Sequence, residues 1–185
     1  MGRPKEWLNF GGKPLLRHIV GIVQGVVQPV VVAARPGQLL PPLPLGVGVV
    51  NDRVADRGPL AGLDAGFAAL TGRCDAAFVT SCDHPLLKPA FIARLVECLA
   101  DWPAVVPVLN GEPFPVTAVY RLGVRPILED VLQSDCLSVR SFADRCGAKF
   151  VSAERFADID PRLDSLTNLN DSAAYEQALR ILNPP

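Results

Sequence analysis

Short apolar runs, each followed or preceded by a stretch with helical spacing of apolar residues, recur along this chain and leave few folds open to it. Leu15, Leu16, Ile19, Val20, Val23 and Val26 recur at helical intervals behind Pro14, a residue suited to the first turn of a helix. Pro29 closes that run, and Val30 to Ala33 reads as a short buried strand. The proline- and leucine-rich stretch 36–44 reads as a loop, Val47 to Val50 as the next strand, and Asn51 to Gly58 as a second loop. The pattern continues with a helix whose face carries Leu60, Leu63, Phe67 and Leu70, a strand from Ala76 to Thr80, and a helix from Pro89 to Leu99. A strand from Ala104 to Val108, a turn at Asn110-Gly111 and a strand from Val116 to Tyr120 predict a hairpin. Helices at Pro126–Leu132 and Val139–Cys146, a strand at Lys149–Ser152 and a helix at Ser172–Leu182 complete the series. The fold expected is α/β, a Rossmann-like three-layer sandwich with a mostly parallel sheet and an antiparallel hairpin addition.

The 185 residues suit one domain, spanning 1–185, with one substantial core. A formal net charge of -1 offers no electrostatic case for a nucleic-acid partner, and a small nucleotide or another protein fits better. Cys74, Cys82, Cys98, Cys136 and Cys146 form no CxxC pair, and with only His18 and His84 beside them they show no zinc-like spacing. They read as free thiols in a reducing compartment. The N-terminus has no apolar signal run, and no uninterrupted apolar stretch is long enough to span a bilayer, so no membrane partner and a cytoplasmic location are expected.

Asp83 is the foremost chemical candidate. It follows an apolar strand in Thr80-Ser81-Cys82-Asp83-His84-Pro85, at the carboxyl end where open α/β sheets bind ligands. A carboxylate there is able to hold Mg2+ shared with substrate phosphates, or simply to cap the following turn, and position alone leaves both open. Asp52 likewise follows a strand, and Gly58-Pro59-Leu60-Ala61-Gly62 leads from its loop into a helix whose amino end is either a ligand site or a tight entry turn. Asp56 has no feature beyond a solvated loop carboxylate. Lys5 and Lys13, with Arg3 nearby, flank the first turn and suit phosphates or plain solvation. Gly11 and Gly12 satisfy neither the Walker nor the GxGxxG pattern. His84 reads as a structural neighbour of Asp83, with no Ser or Cys nucleophile beside it in a recognised arrangement.

The order of these segments resembles the molybdenum cofactor guanylyltransferase family and its wider set of nucleotidyltransferases. That family opens with a strand and LAGGxSxRMGxDK, followed by a segment like FGGxPLL. This chain has Met1-Gly2-Arg3-Pro4-Lys5, then Phe10-Gly11-Gly12-Lys13-Pro14-Leu15-Leu16. The family's GPLAG, CDMP or CDxP, PVxALY and NINTPEDL segments are similar to 58–62, 82–85, 115–120 and 168–173. The likeness extends over essentially all 185 residues in the family's order.

The resemblance implies transfer of GMP from GTP to molybdopterin-bound molybdenum, with release of pyrophosphate. It makes Lys5 and Asp83 catalytic, Asp83 the Mg2+ ligand, and Lys5, Asp52, Gly58, Pro59, Leu60 and Asp83 nucleotide-binding. It implies GTP and molybdopterin-bound molybdenum as partners, with molybdoenzymes or other cofactor-biosynthesis proteins downstream. Three departures qualify it. The family's first strand and LAGGxSxR have no counterpart, so the sheet is expected to lack that strand; Pro4 replaces an acidic residue; and Ala34 stands where an asparagine is common. Met1 matches the internal methionine of the family's RMG, which fits a natural start farther upstream. Two further readings stay open on sequence alone. One is a cytidylyl- or sugar-nucleotidyltransferase; the other is a shortened, non-catalytic protein that binds the molybdenum cofactor or a partner.

Overall fold

Prolines and apolar spacing set the helix starts in the computed structural model, which describes residues 4–52, 57–134 and 138–182. A two-residue hairpin comes first, β1 (Asn9–Phe10) against β2 (Lys13–Pro14), closed by Gly11 and Gly12, which both take positive φ. Helix α1 (Leu15–Gln24) buries Leu15, Leu16, Ile19, Val20 and Val23, the face its spacing predicts, and ends two residues before Val26. The strands β3 (Val31–Ala34) and β4 (Gly48–Asn51) form a separate parallel pair, each shifted by one residue from its sequence estimate. Helix α2 (Pro59–Leu70) begins with Pro59 in its first turn, where the missing N–H costs nothing.

Strand β5 (Ala76–Val79) and helix α3 (Pro89–Glu97) follow, then β6 (Ala104–Leu109) and β7 (Glu112–Pro113). Asn110 and Gly111 both have positive φ, as a tight two-residue hairpin turn requires, so the predicted turn joins β6 to β7. The chain then returns as β8 (Ala118–Arg121), which inserts between β5 and β6 and runs antiparallel to both. Helices α4 (Arg125–Gln133) and α5 (Val139–Arg145), strand β9 (Lys149–Ser152) parallel to β6, and helix α6 (Ser172–Leu182) complete the order.

Because β8 opposes both neighbours and β9 parallels β6, strands β5, β6 and β9 share one direction, and β8 and β7 run against it. Successive residues of β6 and β8 face opposite layers, as strand geometry dictates. Val105 and Val119 join the cluster under α1 and α3, while Ala104, Val106, Ala118 and Tyr120 join the one under α2, α4 and α5. Both faces are thus covered by helices, which makes the expected α/β three-layer sandwich.

The sheet is not continuous. Among the described residues, strand β3 pairs only with β4, and β5 only with β8. Between them lies a slot of about 590 Å³, bordered by both strands and roofed and floored by apolar side chains of α1 and α2. This is where the expectation of an absent strand becomes visible as geometry. No described helix is long and apolar enough to cross a membrane.

Candidate active site

Asp83 lies in the turn after β5, where its backbone N–H donates to Ser81 Oγ at 3.2 Å. Its carboxylate receives Lys5 Nζ at Oδ1, 2.5 Å away, and both side chains are roughly a third exposed, at 37% for Lys5 and 35% for Asp83. The ammonium also donates to the backbone carbonyl of Leu169 at 2.8 Å. Leu169 N–H returns a hydrogen bond to the carbonyl of Asp83 at 2.9 Å. Three distant stretches therefore meet at one point: the chain before β1, the turn after β5 and the segment before α6. Sequence resemblance brought Lys5 and Asp83 to one site, and the structure joins them directly. It adds Leu169, whose part is played by backbone atoms. The only sequence trace of that part was the Asn168–Asn170 segment ahead of a helix, capped at Asp171, whose carboxylate accepts from Ala174 N–H at 2.8 Å.

The second group of candidates stands apart. Asp52 follows β4, held by its N–H to the carbonyl of Ala34 at 2.9 Å, and its Oδ1 is buried with no hydrogen-bond partner. Desolvation raises its carboxyl above the usual aspartate range, against the lowering effect of Arg35. Gly58, at φ 55°, makes the entry turn, a conformation that favours glycine, and Pro59 opens α2 on the surface. The side chain of Leu60 is fully buried in the core, so it is available to a ligand only through the backbone. Among the described residues no hydrogen bond or ion pair links this group to Lys5 and Asp83. Lys13 sits exposed on the β1–β2 hairpin, away from any described ion pair. Arg3, Asp56 and Cys136 lie outside the described residues.

Buried polar atoms without partners are uncommon in folded proteins and call for a reason. Those of Thr80, His84 and Thr117 gather at one end of the sheet. The register Val79↔Ala118 puts Thr80, just past β5, and Thr117, just before β8, at the same end, and His84 follows Asp83 there. His84 is 1% exposed, packs edge-on to Phe114 and has an unpartnered Nδ1. Burial lowers its pKa, against the raising effects of Asp83 and a backbone hydrogen bond with Thr167, so the imidazole is held neutral beneath the site. Cys82 is no nucleophile at neutral pH: burial first, then Glu6 and Asp83, push its thiol up to about 12.

A second lysine–aspartate pair serves as a contrast. Lys88 Nζ meets Asp160 Oδ1 at the same 2.5 Å, but Asp160 is fully buried and also accepts the N–H groups of Asp164 and Ser165, at 3.1 and 2.9 Å.

Whether the Lys5 site suits Mg2+ turns on its donors. No group of three or more His, Cys, Asp or Glu side chains able to hold a metal occurs among the described residues. Mg2+ needs fewer, because it keeps several waters and is completed by substrate phosphates around one or two carboxylates. Asp83 offers a hard oxygen donor, with no partner for Oδ2 among the described residues and part of the side chain open to solvent, which fits such an ion.

The layered sheet thus brings a lysine and a carboxylate together at its strand ends. Residues 1–149 match the MobA-like NTP transferase domain family, and the chain belongs to that family. A probable molybdenum cofactor guanylyltransferase of Bacillus licheniformis is 33% identical over 158 residues, covering 83% of this chain and 78% of that protein. The fold matches molybdopterin-guanine dinucleotide biosynthesis protein A of Archaeoglobus fulgidus with a TM-score of 0.79 at 20% identity, over 98% of this chain and 91% of the other. It also matches 2-C-methyl-D-erythritol 4-phosphate cytidylyltransferase of Thermus thermophilus, with a TM-score of 0.72 at 18% identity over 96% and 93% of the two chains. Membership of this family supports a nucleotidyltransferase-type activity.

Proposed function

We propose that residues 1–185 act as one nucleotidyltransferase domain in the cytoplasm, transferring GMP from GTP to molybdopterin-bound molybdenum. The product would be the guanine dinucleotide form of the cofactor, passed to molybdoenzymes or to other cofactor-biosynthesis proteins. The observation that carries this reading is the Lys5–Asp83 pair at 2.5 Å, at a strand end that also gathers unpartnered polar groups. The similarity to the Bacillus licheniformis relative supports the choice of donor and acceptor.

An oxygen of the pterin phosphate attacks the α-phosphorus of GTP in line; a new P–O bond forms as the bond to pyrophosphate breaks. Reactions of this kind depend on positioning and on stabilising charge, and need no covalent nucleophile. Lys5 places its ammonium against the phosphate oxygens as charge moves toward pyrophosphate. Asp83 would hold Mg2+, which when bound would neutralise phosphate charge, and Leu169 fixes Lys5 from the other side. Asp52, with the backbone at Gly58, Pro59 and Leu60, shapes the nucleoside side, where the positive end of α2 and its unpaired N–H groups favour polar acceptors.

The test is pyrophosphate release from GTP or CTP with molybdopterin-bound molybdenum as acceptor. GTP should be the preferred donor, and Asp83→Asn should cut transfer by about 100-fold, the scale of losing one charge-stabilising group, with the fold retained. Full transfer by Asp83→Asn would overturn the metal role, preference for CTP would overturn the donor, and pterin binding without turnover would overturn the activity.

A further inference from the structure

The Leu169 carbonyl that receives Lys5 lies in a stretch with no helix or strand of its own, after the short turn Asp164–Leu166 and before α6. Without a ladder, the place of that carbonyl depends on contacts with other segments. The turn after β5 supplies them. At its far end Lys88 N–H donates to Ser165 Oγ at 3.1 Å, and Lys88 Nζ reaches Asp160. At its near end the Asp83 carbonyl accepts from Leu169 N–H at 2.9 Å. His84 stands between the two. Its ring hydrogen-bonds the backbone of Thr167. Thr167 N–H is taken by the carbonyl of Asp164 at 2.9 Å, so the Thr167 carbonyl is the acceptor. Nδ1 has no partner among the described residues, which leaves Nε2 as the donor.

Neighbouring residues of one turn thus face opposite ways. The Asp83 carboxylate is partly exposed and meets Lys5, whereas the His84 ring is buried and braced edge-on by Phe114, with ring centroids 5.9 Å apart. An apolar side chain would fill that space without leaving a buried nitrogen unsatisfied. What the imidazole adds is a rigid donor that reaches across to the segment carrying Leu169.

We propose that His84 is a positioning residue: its buried imidazole braces Thr167 against the turn after β5 and so sets where the Leu169 carbonyl holds the Lys5 ammonium beside Asp83. Two residues of extended chain, about 7 Å, separate the braced carbonyl from the one that binds Lys5, so movement at the first displaces the second. The effect on transfer rests on the activity proposed above; the placement of Leu169 does not.

The experiment compares the parent chain with His84→Met, which has similar length and no donor, and His84→Gln, whose amide N–H extends toward the place of Nε2. In His84→Met the Leu169 amide should exchange about tenfold faster, the scale of one lost hydrogen bond, while the Lys88 and Ser165 amides keep their parent rates. In the pyrophosphate-release assay the same variant should lose about tenfold in kcat with KM for GTP within about twofold, since misplacing Lys5 weakens charge stabilisation more than binding. His84→Gln should restore most of both. Unchanged Leu169 exchange in a folded His84→Met overturns the proposal, as do faster exchange at all three amides together, a rise in KM alone, or no recovery in His84→Gln. Nitrogen NMR of the parent imidazole needs no variant: the proton should sit on Nε2, and a proton on Nδ1 overturns the brace even if His84→Met does not fold. A parent chain without turnover refutes the proposed activity, and Leu169 exchange then decides the positioning role.

Discussion

Two lysine–aspartate pairs in this molecule have the same 2.5 Å separation and opposite characters. At Asp160 the carboxylate is sealed from water and both oxygens are engaged, by Lys88 and by two backbone N–H groups. At Asp83 a third of the side chain is exposed and, among the described residues, only Oδ1 is bound, by a lysine that is itself partly solvated. Distance alone does not assign a role to an ion pair; what decides is how many other groups depend on it. Asp160 fixes the turn that leads into 164–166, and its removal strands buried donors. The Lys5–Asp83 pair lies partly open to solvent, so breaking it leaves no fully buried charge behind.

The sharpest break in this comparison is Asp160→Ala. Leaving the N–H groups of Asp164 and Ser165 without an acceptor should cost about 3 kcal/mol, read from urea unfolding. The pH dependence adds a sign. Burial alone would raise the Asp160 carboxyl, but hydrogen bonds from Lys88 and Ser165 outweigh it and hold the carboxyl below the ordinary value of 3.8. Its contribution is therefore present above the unfolded value and lost as pH falls through the lower folded one, and the parent and Asp160→Ala should converge in stability in strong acid. Persistence of the full difference there would contradict the assignment.

Lys5→Ala should be milder for the fold and selective for ligands. Freed of its ammonium, Asp83 should bind Mg2+ more tightly in the absence of nucleotide, while GTP affinity falls by about tenfold, roughly the value of one partly exposed charge-assisted contact. Titration calorimetry of the two ligands separates these effects, and parallel weakening of both would refute competition between Lys5 and Mg2+ at Asp83. The smallest effect belongs to Asp52→Asn. Because desolvation raises the folded carboxyl above the ordinary value of 3.8, its penalty on folding grows as pH rises from that ordinary value and is complete above the raised one. The variant should have a slightly higher urea midpoint than the parent at neutral pH, with the gap closing near about pH 3, where the aspartate is mostly protonated in both states.

Local chemistry made most of the elements legible. Pro59 and Pro89 marked helix starts, Asn110-Gly111 marked the hairpin turn, and the spacing of Leu15 to Val23 marked a buried face. Two features were not legible for the same reason. The insertion of β8 between β5 and β6, and the approach of Leu169 to Lys5, depend on contacts between residues far apart in sequence, which leave no periodic trace. Lys5 and Asp83 were named through resemblance to a family, because a lysine near a terminus and an aspartate after a strand each have an ordinary structural explanation. Their pairing is what the structure adds. The side chain of Leu60, in the segment that reads either as a ligand site or as a tight entry turn, belongs to the core, which leaves only its backbone to a ligand.

The bond from Lys5 to Leu169 spans 164 positions of the chain, and that from Lys5 to Asp83 spans 78. Closing loops of that size costs chain entropy before any contact repays it, so such contacts tend to be late events in folding. The candidate site is thus a clock as well as a place. Refolding chains should regain helix signal first and nucleotide affinity afterwards, with a molecule able to bind only once its distant segments have met.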